Sequence, residues 1–143
     1  MLLLRYYFIV KEYVILCEAS GKEVSLAYYI QENRVIIKNR GEIRIIWRTE
    51  IIYIYSLERK LYIKTASGSY SFYQRLDVFE AELCDMDFLR IHKSFLVNAE
   101  QVTGIQKHHI LLKNGELLEI SRKYLQNVRG YYCISSLRDS QSS

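Results

Sequence analysis

From position 34 onward, hydrophobic residues occur in short segments separated by turn residues, which is the pattern of an all-β domain. Segments 35–38, 43–56 and 61–65 are rich in isoleucine, valine and tyrosine, and polar or glycine-containing residues follow each of them. Branched and aromatic side chains suit the half-buried surface of a pleated sheet, so these segments are predicted to be strands. The run 43–56 has room for two strands or for one bent strand.

Between residues 75 and 84 the apolar spacing changes to that of a helix. Leu76, Phe79 and Leu83 recur at i, i+3 and i+7, and Asp77 is suited to cap the first turn. A short amphipathic helix is therefore predicted inside the β domain.

Strands are expected again over 88–98, 103–105, 110–112 and 117–120. Asn114 and Gly115 form the strongest two-residue hairpin signal between the last two of these strands. Ser121 is expected to cap a final helix that runs through Val128, because Gly130 can end it.

The first 34 residues are harder to interpret. Segments 13–19 and 23–30 flank Ser20 and Gly21 and are compatible with a hairpin, whereas 24–33 is also compatible with a helix. The predicted organisation is an N-terminal extension over 1–34 that adds strands or an interface, one domain over 35–131, and a loose tail over 132–143.

Composition supports a single folded domain. The chain has 143 residues, 50% of them hydrophobic, with no proline and with 13 tyrosines. The three cysteines are far apart and show no C-x-x-C spacing, so reduced thiols in a cytoplasmic protein are expected. The longest stretch without a charged residue is 65–74, whereas a membrane-spanning helix needs about 20 apolar residues, so no membrane insertion is expected.

Catalytic and metal sites are not expected from this sequence. Cys84 and His92 are the only cysteine and histidine that lie close together along the chain, and a packing role is favoured for Cys84 at the end of its helix. His108 and His109 are adjacent, so in a strand they point to opposite faces and cannot chelate one ion. Neither enzymatic activity nor a cofactor is predicted.

Positive charge is concentrated in the C-terminal half. Residues 88–131 contain seven lysines and arginines and three acidic residues. A local surplus of this kind is typical of a surface that neutralises phosphates.

The segment Phe88-Leu89-Arg90-Ile91-His92-Lys93-Ser94-Phe95-Leu96-Val97-Asn98 resembles the signature strand of the LytTR DNA-binding domain family, F-x-R-x-H-[RKN]-S-[YF]-x-V-N. Residues 51–56 are similar to the "I-x-Y-I-E-S" strand of that family, and 111–115 with 120–122 are similar to its "L-x-N-G…V-S-R" close. The resemblance covers about residues 35–131, in the family's order.

The resemblance implies several short antiparallel sheets in a β-sandwich-like arrangement with one or two short helices. It also implies a bacterial transcription regulator that binds promoter repeats in double-stranded DNA, either as a homodimer or in tandem. Family members place side chains from loops in the major groove and commonly bend the DNA, which makes base steps that are not contacted contribute to specificity. Because 34 residues are too few for a receiver domain, a regulator without phosphorylation control within this chain is expected.

Site residues are carried over position by position. Lys93 and Arg122 match base-reading positions, as does Arg59, or Lys60 if the loop alignment is shifted by one residue. Lysine and arginine at such positions donate to the O6 and N7 atoms of guanine. Neighbouring polar side chains are expected to contact phosphates, with backbone hydrogen bonding as the alternative role of His92. These predicted phosphate contacts are Lys60, Arg90, His92, Ser94 and Lys123.

A different class of function also fits the sequence. The first 34 residues are dense in tyrosine, leucine, isoleucine and valine, so an edge hairpin there would suit a second copy of the chain or a regulatory protein. The alternative is therefore a protein-interaction module with only non-specific affinity for DNA.

Overall fold

The computed structural model describes residues 5–10, 13–18, 23–24, 27–83 and 86–141, with side chains described over 27–83 and 86–133. Within these ranges the strands form four antiparallel sheets. The first sheet has the order β1 (Arg5–Val10), β2 (Tyr13–Glu18), β3 (Glu23–Val24), and the second has the order β4 (Tyr28–Gln31), β5 (Arg34–Asn39), β6 (Glu42–Trp47).

The third sheet is the largest and has five strands. Its order is β10 (Phe88–His92), β11 (Phe95–Asn98), β7 (Ile51–Leu57), β8 (Lys60–Thr65), β9 (Gly68–Tyr73). The fourth sheet has the order β12 (Val102–Gln106), β13 (His109–Leu112), β14 (Leu117–Glu119). Two α-helices, α1 (Leu76–Glu82) and α2 (Arg122–Gln141), complete the described elements, with 3-10 turns at Arg48–Glu50 and Ala99–Gln101.

Apolar side chains cover both faces of the third sheet. On one face they pack against the second sheet and α1, where Ile46 and Phe79 are fully buried. On the other face they pack against the fourth sheet and α2, where Ile110 and Val128 are buried. The third sheet is therefore the central layer between two hydrophobic cores, and its strand ends position the loops.

A polar network joins the fourth sheet to the central layer. Lys64 Nζ lies 2.7 Å from Glu116 Oε1, and the Tyr53 hydroxyl donates to Glu116 Oε2 at 3.0 Å. Although burial opposes ionisation, hydrogen bonds from Lys64, Tyr53 and Asn114 hold the pKa of Glu116 below its ordinary value. The hydrogen bond to Glu116 raises the pKa of Lys64. Both groups therefore stay charged over a wide pH range.

The predicted all-β class is confirmed, and the open choices are resolved by pairing. The 43–56 run contains two strands separated by the 3-10 turn, and 88–98 contains two strands separated by a turn at Lys93 and Ser94. β2 pairs antiparallel with the two-residue β3, whereas β4 pairs with β5 in another sheet. The hairpin expected between 13–19 and 23–30 is therefore correct only for 23–24, and the helical alternative for 24–33 is wrong. The predicted turn at Ser20 and Gly21 lies outside the described residues. The β4–β6 sheet contains residues from both sides of position 35, where the predicted extension meets the predicted domain.

Two helix-end predictions are wrong. Asp77 does not cap α1, because the N-cap is Arg75 and the Asp77 carboxylate instead binds Arg90 at 3.2 Å. α2 does not end near Val128 but continues to Gln141, so the backbone over 132–141 is helical and not a loose tail. Gly130 keeps a negative φ and so provides no left-handed cap, and the Tyr132 hydroxyl donates to the Ala99 carbonyl at 3.2 Å. Among the described residues no helix is long and apolar enough to cross a membrane.

Candidate DNA-binding site

Two hairpin turns of the central sheet lie side by side and carry two of the predicted base-reading residues. Arg59 lies in the β7–β8 turn and Lys93 in the β10–β11 turn. The Ser56 backbone N–H donates to the Ser94 carbonyl at 3.0 Å, which ties the second turn to the end of β7. Arg59 and Lys93 consequently line the same surface groove, which has a volume of about 710 Å³.

The start of α2 brings the third predicted residue to the same end of the sheet. The Ser121 N–H donates to the Ile91 carbonyl at 2.9 Å, so Arg122 begins its helix beside the last residues of β10. The fold thus brings Arg59, Lys93 and Arg122 together from segments that are far apart in the sequence.

All three of these side chains are exposed. None of them forms a hydrogen bond, an ion pair or a ring contact with the residues that the structure describes. Arg59 adopts a positive φ of 69°, in a two-residue turn whose other member, Glu58, has φ 50°. Arg59 is thus exposed at the turn that ends the β7–β8 hairpin. Their donors are therefore available to an external partner.

Arg90 is arranged differently, because its guanidinium is almost fully enclosed. Its side chain is 9% exposed and contacts four oxygens. Nε donates to the His92 carbonyl at 2.6 Å and one terminal nitrogen donates to the Lys93 carbonyl at 2.6 Å. The other terminal nitrogen contacts Asp77 at 3.2 Å and Glu80 at 2.8 Å. This network fastens the Lys93 turn to α1, which argues against a phosphate contact by Arg90.

His92 and Ser94 also act within the turn. The Ser94 backbone N–H donates to His92 Nδ1 at 3.1 Å, so this ring nitrogen serves as an acceptor within the turn. This is the backbone hydrogen bonding that was the alternative role of His92. The Ser94 hydroxyl forms no hydrogen bond with the described residues and lines the groove beside Lys93.

The two remaining cations lie over aromatic rings. Lys60 Nζ lies 4.9 Å from the centre of the Tyr73 ring, and Lys123 Nζ lies 5.3 Å from the centre of the Tyr124 ring. Cation–π contacts at exposed sites restrain an ammonium group while its remaining N–H donors face solvent. Both lysines flank predicted base-reading residues, as expected for phosphate contacts.

Sequence patterns did not reveal the residues that position the turn. Asp77 and Glu80 neutralise Arg90 from α1, and Tyr124 places its ring 5.6 Å from the Arg90 guanidinium carbon. Two acidic side chains three positions apart in a predicted helix could have indicated this role, because such a pair can bind one arginine. Tyr124 offered none, since its contact depends on how α2 meets β10.

Exposed cations on the loops at one end of an antiparallel β domain are features that suit a DNA-binding domain. The sequence model of the LytTr DNA-binding domain family matches residues 41–132 of this chain, and the chain belongs to that family. The resemblance found in the sequence is thereby confirmed.

Similar proteins agree with this assignment. The Sensory transduction protein LytT of Bacillus subtilis (strain 168) is 33% identical over 109 residues, which are 73% of this chain and 42% of LytT. The Transcriptional regulatory protein NatR of the same strain is 26% identical over 105 residues, which are 69% of this chain and 45% of NatR. The chain thus matches less than half the length of these relatives.

A solved structure has the same fold. The LytTr DNA-binding domain of a Bacillus cereus response regulator superimposes with a TM-score of 0.60 at 22% identity, covering 69% of this chain and 95% of that domain. The β-sandwich-like arrangement expected from the resemblance is confirmed by this match.

Proposed function

We propose that this chain is a DNA-binding regulator of transcription that recognises a specific duplex sequence through its loops. The single observation that carries the proposal is the contrast between cations at one end of the central sheet. Arg59, Lys93 and Arg122 are exposed without partners among the described residues, whereas Arg90 uses its donors to hold the Lys93 turn. A site prepared in this way suits recognition, because Lys93 projects from a turn that is already ordered.

Each residue has a proposed role in that recognition. Arg122 offers a planar pair of donors for the O6 and N7 atoms of a guanine in the major groove, and Lys93 and Arg59 read neighbouring bases. Lys60, Lys123 and the Ser94 hydroxyl contact phosphates, which fix the register of the protein on the duplex. His92 and Arg90 position the turn.

The names of the relatives support a role in transcription, because one is a transcriptional regulatory protein and another a sensory transduction protein. Binding to paired promoter repeats, in tandem or as a homodimer, is part of the proposal, as is bending of the duplex between them. Affinity should depend steeply on salt, because the contacts of Lys60 and Lys123 with phosphates release counterions.

Selection of bound duplexes from a random DNA pool tests this proposal. The wild-type chain should enrich a short repeated motif, and the Lys93→Ala, Arg122→Ala double variant should lose that enrichment while it keeps the unfolding midpoint of the wild type. Retention of DNA without any enriched sequence would refute specific recognition. It would favour the protein-interaction module instead.

A further inference from the structure

A second groove lies between the β5–β6 hairpin and the edge of the central sheet. We name it the β5–β9 groove, and its volume is about 370 Å³. Among the residues that the structure describes, three cations line it together with neutral residues and no carboxylate. The cations are Lys38, Arg40 and Lys60. By contrast, the groove that contains Arg59 and Lys93 is also lined by Glu58 and Asp77. The β5–β9 groove is therefore well suited to an anion.

The two grooves are neighbours along one end of the molecule. Lys60, which lines the β5–β9 groove, directly follows Arg59, which lines the other. Tyr73 lines the β5–β9 groove, whereas the next two residues, Gln74 and Arg75, line the other. The two grooves are therefore adjacent at the β7–β8 turn, and a rigid polyanion that contacts Arg59 passes close to both.

Two cations of this groove lie near aromatic rings, and the third has no partner within the described ranges. Lys60 lies over the Tyr73 ring at 4.9 Å, and Lys38 lies 6.0 Å from the Tyr29 ring. Arg40 is exposed and has no hydrogen-bond, ion-pair or ring partner within the described ranges. Its φ is 48° and that of Gly41 is 79°, the signs of a type I′ turn.

Arginine is an unfavourable residue for that turn position. Type I′ turns prefer Asn-Gly, and a left-handed conformation costs a larger side chain about 1 kcal/mol. Arg40 thus has the same two properties as Arg59, an exposed guanidinium without a partner and a positive φ. The structure places a second arginine of this kind at a neighbouring hairpin end.

We propose that the β5–β9 groove binds phosphates of the duplex, beside the segment that Arg59 contacts. Arg40 provides the principal contact, and Lys38 and Lys60 provide further positive charge. The proposal rests on the proposed function, because it requires that the same duplex occupies the groove of Arg59 and Lys93. It extends the DNA-binding surface onto the second sheet, to Lys38 and Arg40, which the family resemblance did not assign.

The variant Arg40→Asn tests the groove, because asparagine followed by Gly41 is the preferred sequence for this turn and the fold should be unaffected or more stable. Lys107→Asn is a matched control. Lys107 also lies in a two-residue turn with a positive φ of 53°, and its carbonyl accepts a hydrogen bond from Arg129, which is about 10 Å along α2 from Arg122. Both variants remove one positive charge.

Binding is measured by fluorescence anisotropy on a mixed-sequence duplex and on the enriched duplex over a range of salt concentrations. Arg40→Asn should weaken binding to both duplexes by a similar factor, about two- to fivefold. The slope of the logarithm of the binding constant against the logarithm of the salt concentration should become shallower by about 0.9. Hydroxyl-radical footprints of Arg40→Asn should lose backbone protection at one flank of the site only. Lys107→Asn should match the wild type in affinity, slope and footprint.

The outcomes separate the two proposals. If the wild type binds neither duplex, the proposed function fails. If the wild type binds and Arg40→Asn has the same affinity, salt slope and footprint, only the groove assignment is overturned. An equal loss in Arg40→Asn and Lys107→Asn also overturns it, because the effect is then that of net charge.

Discussion

Arg90→Lys is the most informative single change, because it keeps the positive charge and removes the planar set of donors that holds the Lys93 turn. The guanidinium joins the His92 and Lys93 carbonyls to the Asp77 and Glu80 carboxylates. A lysine ammonium is compact and cannot span both carbonyls and both carboxylates in the same geometry.

The expected loss of stability follows from these contacts. Hydrogen bonds that involve a charged group each contribute about 1.5–3 kcal/mol, and the substitution removes at least one of the two 2.6 Å bonds to turn carbonyls. The carboxylates add little to the loss, because Asp77 and Glu80 are 68% and 40% exposed and can be hydrated. A decrease of about 2 kcal/mol in the free energy of unfolding is therefore expected.

The effect on recognition is measured by a double-mutant cycle on the enriched duplex. If Arg90 acts by positioning Lys93, the single variants Arg90→Lys and Lys93→Ala should lose affinity to a similar extent, and the double variant should lose little more. The salt slope of Arg90→Lys should equal that of the wild type, because no phosphate contact is removed. Urea unfolding at the binding temperature verifies that each variant is folded.

Additive losses in the cycle would refute the positioning role, because Arg90 would then act independently of Lys93. They would favour the direct phosphate contact by Arg90 that the sequence resemblance implied. Unchanged affinity in a destabilised Arg90→Lys variant would also contradict the reasoning, because the turn would then keep its geometry without the guanidinium.

Three further predictions concern other parts of the structure. Arg122→Ala should cost about 1–3 kcal/mol on the enriched duplex and relax discrimination at one base pair, whereas Lys123→Ala should weaken all duplexes alike in competition binding. Arg59→Gly should increase the free energy of unfolding by up to about 1 kcal/mol, seen as a higher urea midpoint, because glycine relieves the positive φ. The same variant should still lower specific affinity about tenfold. Glu116→Gln should lower stability by about 0.5–1 kcal/mol at pH 7, since it breaks a contact with Lys64 that is one-third exposed. This difference should shrink in acid denaturation as pH falls below 4.5 through the depressed pKa of Glu116, because the wild type then loses the same ion pair.

The strands and the identity of the domain could be predicted from the sequence because both depend on local patterns. Alternating branched residues mark a strand wherever it pairs, and the motif around Arg90 is contiguous. The role of Arg90 itself could not be predicted, since it depends on α1 meeting the β10–β11 turn across the sheet edge. The length of α2 was missed for a similar reason, because buried Val128 and the Tyr132 hydrogen bond stabilise a helix that Gly130 was expected to end.

The most direct test of the central claim is to replace each guanine of the enriched duplex in turn by 7-deazaguanine, which lacks the N7 acceptor in the major groove. The wild type should lose about tenfold in affinity at one guanine in each repeat, and Arg122→Ala should be insensitive to the same replacement. Equal sensitivity of wild type and Arg122→Ala at every guanine would contradict the account, because Arg122 would then make no contact with a base.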